Sequence, residues 1–143
     1  MNQTDQSELA AFVLRIALGV MYLAHSVLLK LMIFTLAGTA AFFVTVGLPG
    51  WLAYVTFAIE AIGGILLILG IQSRWVVLAL LPALFGAIIW VHGANGWVFT
   101  ATGGGWEYPA FLIIASILQV LLGDGAYALS RSRPLPRFSS ATT

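Results

Sequence analysis

The sequence predicts an all-α membrane protein: a four-transmembrane-helix bundle with a short interfacial helix between spans 1 and 2. Three observations predict it. Hydrophobic residues make up 61% of the 143 and charged residues only 8%, against about a quarter charged in an ordinary soluble domain. Mean hydropathy is +1.03, so the chain cannot cover a water-facing surface. Finally, apolar runs long enough to cross a hydrocarbon core of about 30 Å, which takes about 20 residues, recur four times with Gly, Pro and polar punctuation between them.

The first run covers residues 9–33, the second 51–69, the third 75–93 and the fourth 108–129. The breaks are VGLPG, GIQSR and HGANGWVFTATGGGWEYP. Between the first two runs, TLAGTAAFFVTVGLPG is apolar but too short to cross, and it predicts a short helix at the interface, ended by Gly47 and Pro49. Residues 1–130 form one membrane domain, and the basic, Pro- and Ser-rich tail 131–143 is expected to be disordered. The N-terminus has no basic region and no cleavage site, so no cleaved signal peptide is read there. An even number of spans puts both termini on one side. Arg74, Arg131, Arg133 and Arg137 then share that side and only Lys30 lies near the other, which makes the termini cytoplasmic. Trp51, Trp97, Trp106 and Tyr108 form an outer aromatic belt, with Trp75 on the inner side.

The composition also excludes functions. Cysteine is absent, so this chain alone carries no thiolate metal site, disulfide exchange or iron–sulfur cluster. A net charge of +1 gives no sign of nucleic acid. The partners expected are the lipid bilayer and a protein subunit or second copy.

Function is sought in the polar groups inside the spans, because a charge at the bilayer centre costs about 2.5–3.5 kcal/mol even on lenient scales. Arg15, Gly19, Tyr22, Ser26 and Lys30 recur at helical spacing along one face, with His25 at its edge. Glu60, Gly63, Gly64 and Leu67 share a second face, whose glycines allow close approach of another helix. Ser116, Gln119, Gly123 and Tyr127 form a third, with Asp124 beside it. By helical rise, Arg15 lies about 9 Å into its span and Glu60 about 13 Å into its own. The polar groups thus sort into an inner set (Arg15, Glu60, Asp124) and an outer set (His25, Lys30, His92, Glu107). The inner set reads as a structural ion pair, with Arg15 answering Glu60, or as a proton relay. The outer set reads as a quinone pocket: ring carbonyls need hydrogen-bonding partners, reduction needs protons, and the tail needs lipid. Each outer residue also has a structural reading, such as a snorkelling Lys30 or a Glu107 suited to a helix start. His25 and His92 as axial haem ligands are a weaker alternative. No metal site is assigned.

Taken together, these residues resemble the DoxX family of small bacterial membrane proteins, from residue 9 to 129. RIALGVMYLAHSVLLKLMIF resembles the family's opening pattern through Arg15, Gly19, His25 and Lys30, with Ser26 where glycine is common. VGLPGWLAYVTFAIEAIGGILLILGIQSR matches through Gly47, Pro49, Glu60, Gly63, Gly64, Gly70 and Arg74. VHGANGWVF, GGGWEYP and LGDGAYALSR follow in the family's order. The resemblance implies a four-helix protein of the bacterial cell inner membrane, often in redox roles. Its founders look like subunits of thiosulfate:quinone oxidoreductase, and its wider group includes eukaryotic cargo receptors, so the fold alone does not set the function. The expected function is a redox-associated, quinone-binding oxidoreductase subunit that is not a complete enzyme alone. The alternatives are a non-enzymatic scaffold whose buried charges are structural, and a small oligomeric transporter.

Overall fold

The computed structural model describes residues 2–135. Regular structure among them is helical, apart from one isolated parallel bridge between Ile71 and Ser130. Helix α1 (Gln3–Leu23) starts before the apolar run because Asn2 and Asp5 cap it reciprocally, at 2.9 and 3.3 Å. It continues through Ala24–Ile33 in wider, π-type turns, whose last N–H, on Phe34, reaches Leu29 at 2.8 Å. Helix α2 (Leu36–Thr45) occupies the place of the expected interfacial helix. Helix α3 is Trp51–Leu69. Helix α4 (Ser73–Gly86) contains Pro82 and also widens, over Ala87–His92. Helix α5 is Glu107–Leu122.

Among the described residues three helical stretches are long and apolar enough to cross a membrane: Gln3–Ile33, Trp51–Leu69 and Ser73–Asn95. Helix α5 is apolar but has 16 residues, about 24 Å at 1.5 Å per residue. It stops at Leu122, short of residue 129, because Gly123, Gly125 and Tyr127 adopt φ of +89°, +72° and +57°. Gly123, Asp124 and Gly125 interrupt the apolar run, and left-handed backbone cannot continue a right-handed helix. Tyr127 consequently leaves the inward face and is 79% exposed.

Two backbone contacts set the helix packing. A Cβ on Gly19 of α1 would meet the carbonyl oxygen of Gly64 at 2.9 Å, and one on Gly64 would meet that of Gly19 at 2.9 Å. The two helices therefore touch backbone to backbone, as the small-residue spacing predicts. Gly63 instead receives the side chain of Leu80 of α4. Around this seam Leu18, Tyr22, Leu67, Val77, Leu80 and Leu112 build the core.

The chain after α5 folds back as a strap. Ala126 N–H donates to Glu8 O at 2.9 Å, and Ser130 pairs with Gly70 and Gln72 at 3.0 and 2.8 Å. Arg131 reaches Glu8 at 2.8 Å. The tail thus begins as ordered backbone, while residues 136–143, including Arg137, lie outside the described residues. The strap and the start of α1 define a terminal end, where Arg74, Arg131 and Arg133 gather. Tyr108 at the start of α5 stacks on His25, and Trp106 meets Trp97 edge-on at 4.5 Å, at the opposite, loop end.

Candidate functional site

Glu60 pairs with Lys30, not with Arg15. The direction of the side chains explains this correction. In an α-helix the Cα–Cβ bond tilts toward the helix N-terminus. Helix α1 starts at the terminal end, so Lys30 leans back toward the bundle middle and Arg15 leans away from it. Helix α3 starts at the loop end, so Glu60 leans toward Lys30. The two side chains are 17% and 8% exposed, so this is an ion pair inside the helix bundle. Thr39 of α2 also approaches the backbone oxygen of Lys30, at 3.4 Å.

Arg15 is fully buried and caps α3. Its Nη1 donates to Leu67 and Ile68 oxygens at 2.8 and 2.9 Å, and its Nη2 to Ala126 O at 3.0 Å. Leu67 and Ile68 belong to the last turn of α3, where carbonyls lack some of their helical partners and a cation suits the negative end of the dipole. Asp124 does the converse for α4: it accepts from the N–H of Ser73 at 2.6 Å, the N–H of Ser132 at 2.7 Å and the Ser132 hydroxyl at 3.0 Å. Burial works to raise the Asp124 carboxyl, but hydrogen bonds from Ser132 and Ser73 outweigh it and hold the group below the ordinary carboxylate range. Arg15 and Asp124 therefore close helix ends separately, without a direct salt bridge. Arg74, read from the sequence for orientation and for the family resemblance but not as a cap, caps α5 through Val120 O at 2.9 Å and ties the strap through Arg133 O at 2.8 Å. Its position just after a helix break was the available signal.

The outer set divides. The ring of His25 stacks on Tyr108 with centroids 6.1 Å apart, and its Nδ1 lies 3.0 Å from Met21 O. A carbonyl only accepts, so Nδ1 is the donor in this contact and Nε2 is left facing away from Met21. His92 has the same arrangement, with Nδ1 2.9 Å from Gly104 O, which Asn95 also donates to at 3.0 Å. Glu107 accepts the Phe99 N–H at 2.8 Å. His92 and Glu107 thus pin the two sides of the loop between α4 and α5. Beside that loop, Trp97, Phe99, Glu107, Tyr108, Phe111 and Ile114 line a cavity of about 510 Å³ with almost wholly apolar walls. Glu107 lines it and His25 adjoins it through Tyr108; Lys30 and His92 are not among its walls. His25, Lys30 and His92 all sit on widened helical turns, a backbone form that recurs at functional sites. Among the described residues, no three acidic or histidine side chains converge to hold a metal ion.

The bundle interior carries further polar atoms. Tyr22 Oη, Ser116 Oγ, Gln119 Oε1, Ser73 Oγ and Arg15 Nε are buried and have no hydrogen-bond partner among the described residues.

Comparison with known proteins agrees with the residue patterns. The DoxX family profile matches residues 10–93. A Bacillus subtilis (strain 168) protein named Putative oxidoreductase CatD is 34% identical over 122 residues, covering 85% of each chain. No solved structure matches. With the Arg15, His25, Lys30, Glu60 and double-glycine pattern placed on α1 and α3, within the matched region, the chain belongs to the DoxX family.

Proposed function

We propose that this chain is the membrane subunit of a quinone-linked oxidoreductase and that it binds the headgroup of a quinone or quinol in the cavity at the loop end of α5. The observation that carries the reading is that cavity, about 510 Å³ with aromatic walls and a stacked His25–Tyr108 pair at its side. Ligand cavities of this kind run about 300–1,000 Å³, with few polar groups among apolar walls. The residues fit an isoprenoid-tailed ring: Trp97, Phe99, Tyr108 and Phe111 offer flat apolar faces, and walls that are apolar apart from Glu107 suit a tail in lipid. A quinone supplies two-electron chemistry coupled to protons. His25, with Nδ1–H held by Met21, offers Nε2 as the base for a quinol hydroxyl. Glu107 and His92 hold the loop that forms the wall. The relative's name as an oxidoreductase supports the redox side of the reading. Any iron–sulfur carrier would then reside on a protein partner, since this chain has no cysteine. In this reading α5 is a fourth crossing, the membrane is the bacterial inner membrane, and both termini are cytoplasmic.

The test is an oxidised-minus-reduced absorption spectrum of the purified protein, with mass spectrometry of its extracted lipid. Quinone near one per chain, lost about tenfold in His25→Ala or Phe111→Ala as a contact worth about 1.4 kcal/mol is removed, supports the reading. Quinone no richer than in bulk membrane, from a folded protein, overturns it. A Soret band instead moves the assignment to haem between His25 and His92.

A scaffold reading has its own support: Arg15, Arg74, Asp124, His92 and Glu107 all bond to backbone. It predicts no ligand, and loss of a co-purifying partner when the strap is loosened by Arg131→Ala.

A further inference from the structure

Polar side chains of α1 and α5 are buried inside the bundle, although the surrounding core is hydrocarbon. Arg15, Ser116 and Gln119 are 0% exposed and Tyr22 is 1% exposed. Each has a polar atom without a partner among the described residues. The Tyr22 hydroxyl faces Ser116 and lies within electrostatic reach of Glu60, yet makes no hydrogen bond of acceptable geometry. Gln119 binds the Gly123 oxygen through Nε2 at 2.6 Å and leaves Oε1 free. Along the helix axes, Arg15 to Tyr22 and Leu67 to Glu60 are each two turns, about 10 Å. Gln119 and Ser116 are one turn apart on α5. From the terminal end inward, the order is therefore Gln119, Ser116, Tyr22 and then the Lys30–Glu60 pair. A buried hydroxyl or amide oxygen without a partner is costly, and the common remedy in proteins is an internal water that makes two to four hydrogen bonds. Oxygens spaced along one seam and ending on an ion pair make a row of such positions.

We propose that Gln119, Ser116 and Tyr22 bind a short file of water that carries protons between the terminal end of the bundle and the Lys30–Glu60 pair. Each water in the file accepts one proton and releases another, while Gln119 Oε1 only accepts a hydrogen bond and holds a water in place. A proton taken from bulk water at the terminal end is therefore matched by one delivered to the Glu60 carboxylate when the pair opens, and no electron moves. Arg15 is not a carrier: its fixed charge, held on the α3 carbonyls, borders the file at the terminal end. The route replaces the Arg15–Glu60–Asp124 relay with side chains that have free oxygens. It needs no bound quinone, so it stands or falls apart from the function proposed above.

Lys30 is the chain's one lysine. Lysine labelled with nitrogen-15 at Nζ therefore gives a single ammonium signal, that of the ion pair. The measurement is the rate at which solvent protons exchange onto Lys30 Nζ, by nuclear magnetic resonance on the full chain in lipid vesicles. Gln119→Leu and Ser116→Ala are expected to slow it about tenfold each, the kinetic equivalent of one lost hydrogen bond. Gln119→Glu, which keeps the oxygen, is expected to restore it. Should the leucine variant fail to fold, Ser116→Ala carries the test, since it removes one atom and adds none. Exchange unchanged in folded Ser116→Ala and Gln119→Leu overturns the proposal and places the solvent route on the loop-end side of Lys30. Slowing that Gln119→Glu does not reverse also overturns it, because packing and not the oxygen would then control the rate.

Discussion

Lys30 and Glu60 make the strongest demand on the fold at the residue scale, because each is tolerable in the interior only with the other. Removing one partner of a buried pair leaves an uncompensated charge and typically costs about 3–5 kcal/mol, whereas replacing both with apolar residues of similar volume is often neutral. Lys30→Met is therefore expected to lower stability by about 3 kcal/mol, and Lys30→Met with Glu60→Leu to recover most of it. Reversible unfolding in mixed detergent checks this. If the double variant is stable yet inactive with its partner, the pair is there for function. The polar stripe of α1 was legible in the sequence, since Arg15, Tyr22, Ser26 and Lys30 recur at helical spacing. The partner of each charge was not. Residue counts give depth, but side-chain lean toward the helix N-terminus and the wider turns after Ala24 decide that Lys30 meets Glu60.

At the scale of elements, α1 and α3 depend on two glycines placed back to back. A Cβ on Gly64 lies 2.9 Å from both the Gly19 oxygen and Leu23 Cγ, and backbone cannot shift cheaply. Gly64→Val is expected to cost about 2–3 kcal/mol or more, since overpacking a filled contact costs about 1–3 and the helices must also separate. A lowered midpoint in thermal unfolding checks it. The start of α4 carries the acid sensitivity. Asp124 is held below the ordinary carboxylate range by Ser132 and Ser73, against the effect of its burial. A carboxyl whose folded value is depressed contributes stability above its unfolded value, and that stability is lost as pH falls through the folded one. Stability should therefore hold at neutral pH and decline below about pH 4, the unfolded reference value. Asp124→Asn should lose about 1 kcal/mol at neutral pH, as for a helix cap, and show a shallower decline. A pH series of unfolding midpoints for both chains tests the sign. Element existence was legible from hydropathy, and so were the inward faces of α1 and α3. The end of α5 was misplaced: Gly123, Asp124 and Gly125 interrupt the apolar run and are a stop signal in the sequence, and the backbone of the two glycines turns left-handed there. The strap was invisible to composition: it is ordered by Asp124, Arg74 and Arg131, whose partners lie far away in sequence.

For the whole molecule, the open quantity is how the bundle sits in the membrane. Helix α5 is shorter than a typical crossing, yet it starts beside His25 and its chain continues to Glu8, so it runs from the loop end to the terminal end. A bilayer accommodates a short helix by thinning or by tilting its neighbours, at a modest cost per Å. Arg74, Arg131 and Arg133 gather at the terminal end, and basic residues near span ends stay in the cytoplasm. On the reading proposed above, α5 is a fourth crossing and the terminal end lies inside. The chain has no cysteine, so one introduced thiol reports its own position without a background. Thr100, Ser7 and Leu129 are exposed, the first in the α4–α5 loop and the others at the terminal end. In intact cells with the outer membrane permeabilised, a membrane-impermeant maleimide is expected to label Thr100→Cys. It should leave Ser7→Cys and Leu129→Cys unlabelled until the inner membrane is opened. Labelling of Leu129→Cys together with Thr100→Cys would mean that α5 does not cross. Labelling of Ser7→Cys and Leu129→Cys but not Thr100→Cys would keep four crossings and invert the protein. That inversion would put the aromatic cavity in the inner leaflet, so the same three thiols decide from which side of the membrane the cavity is reached.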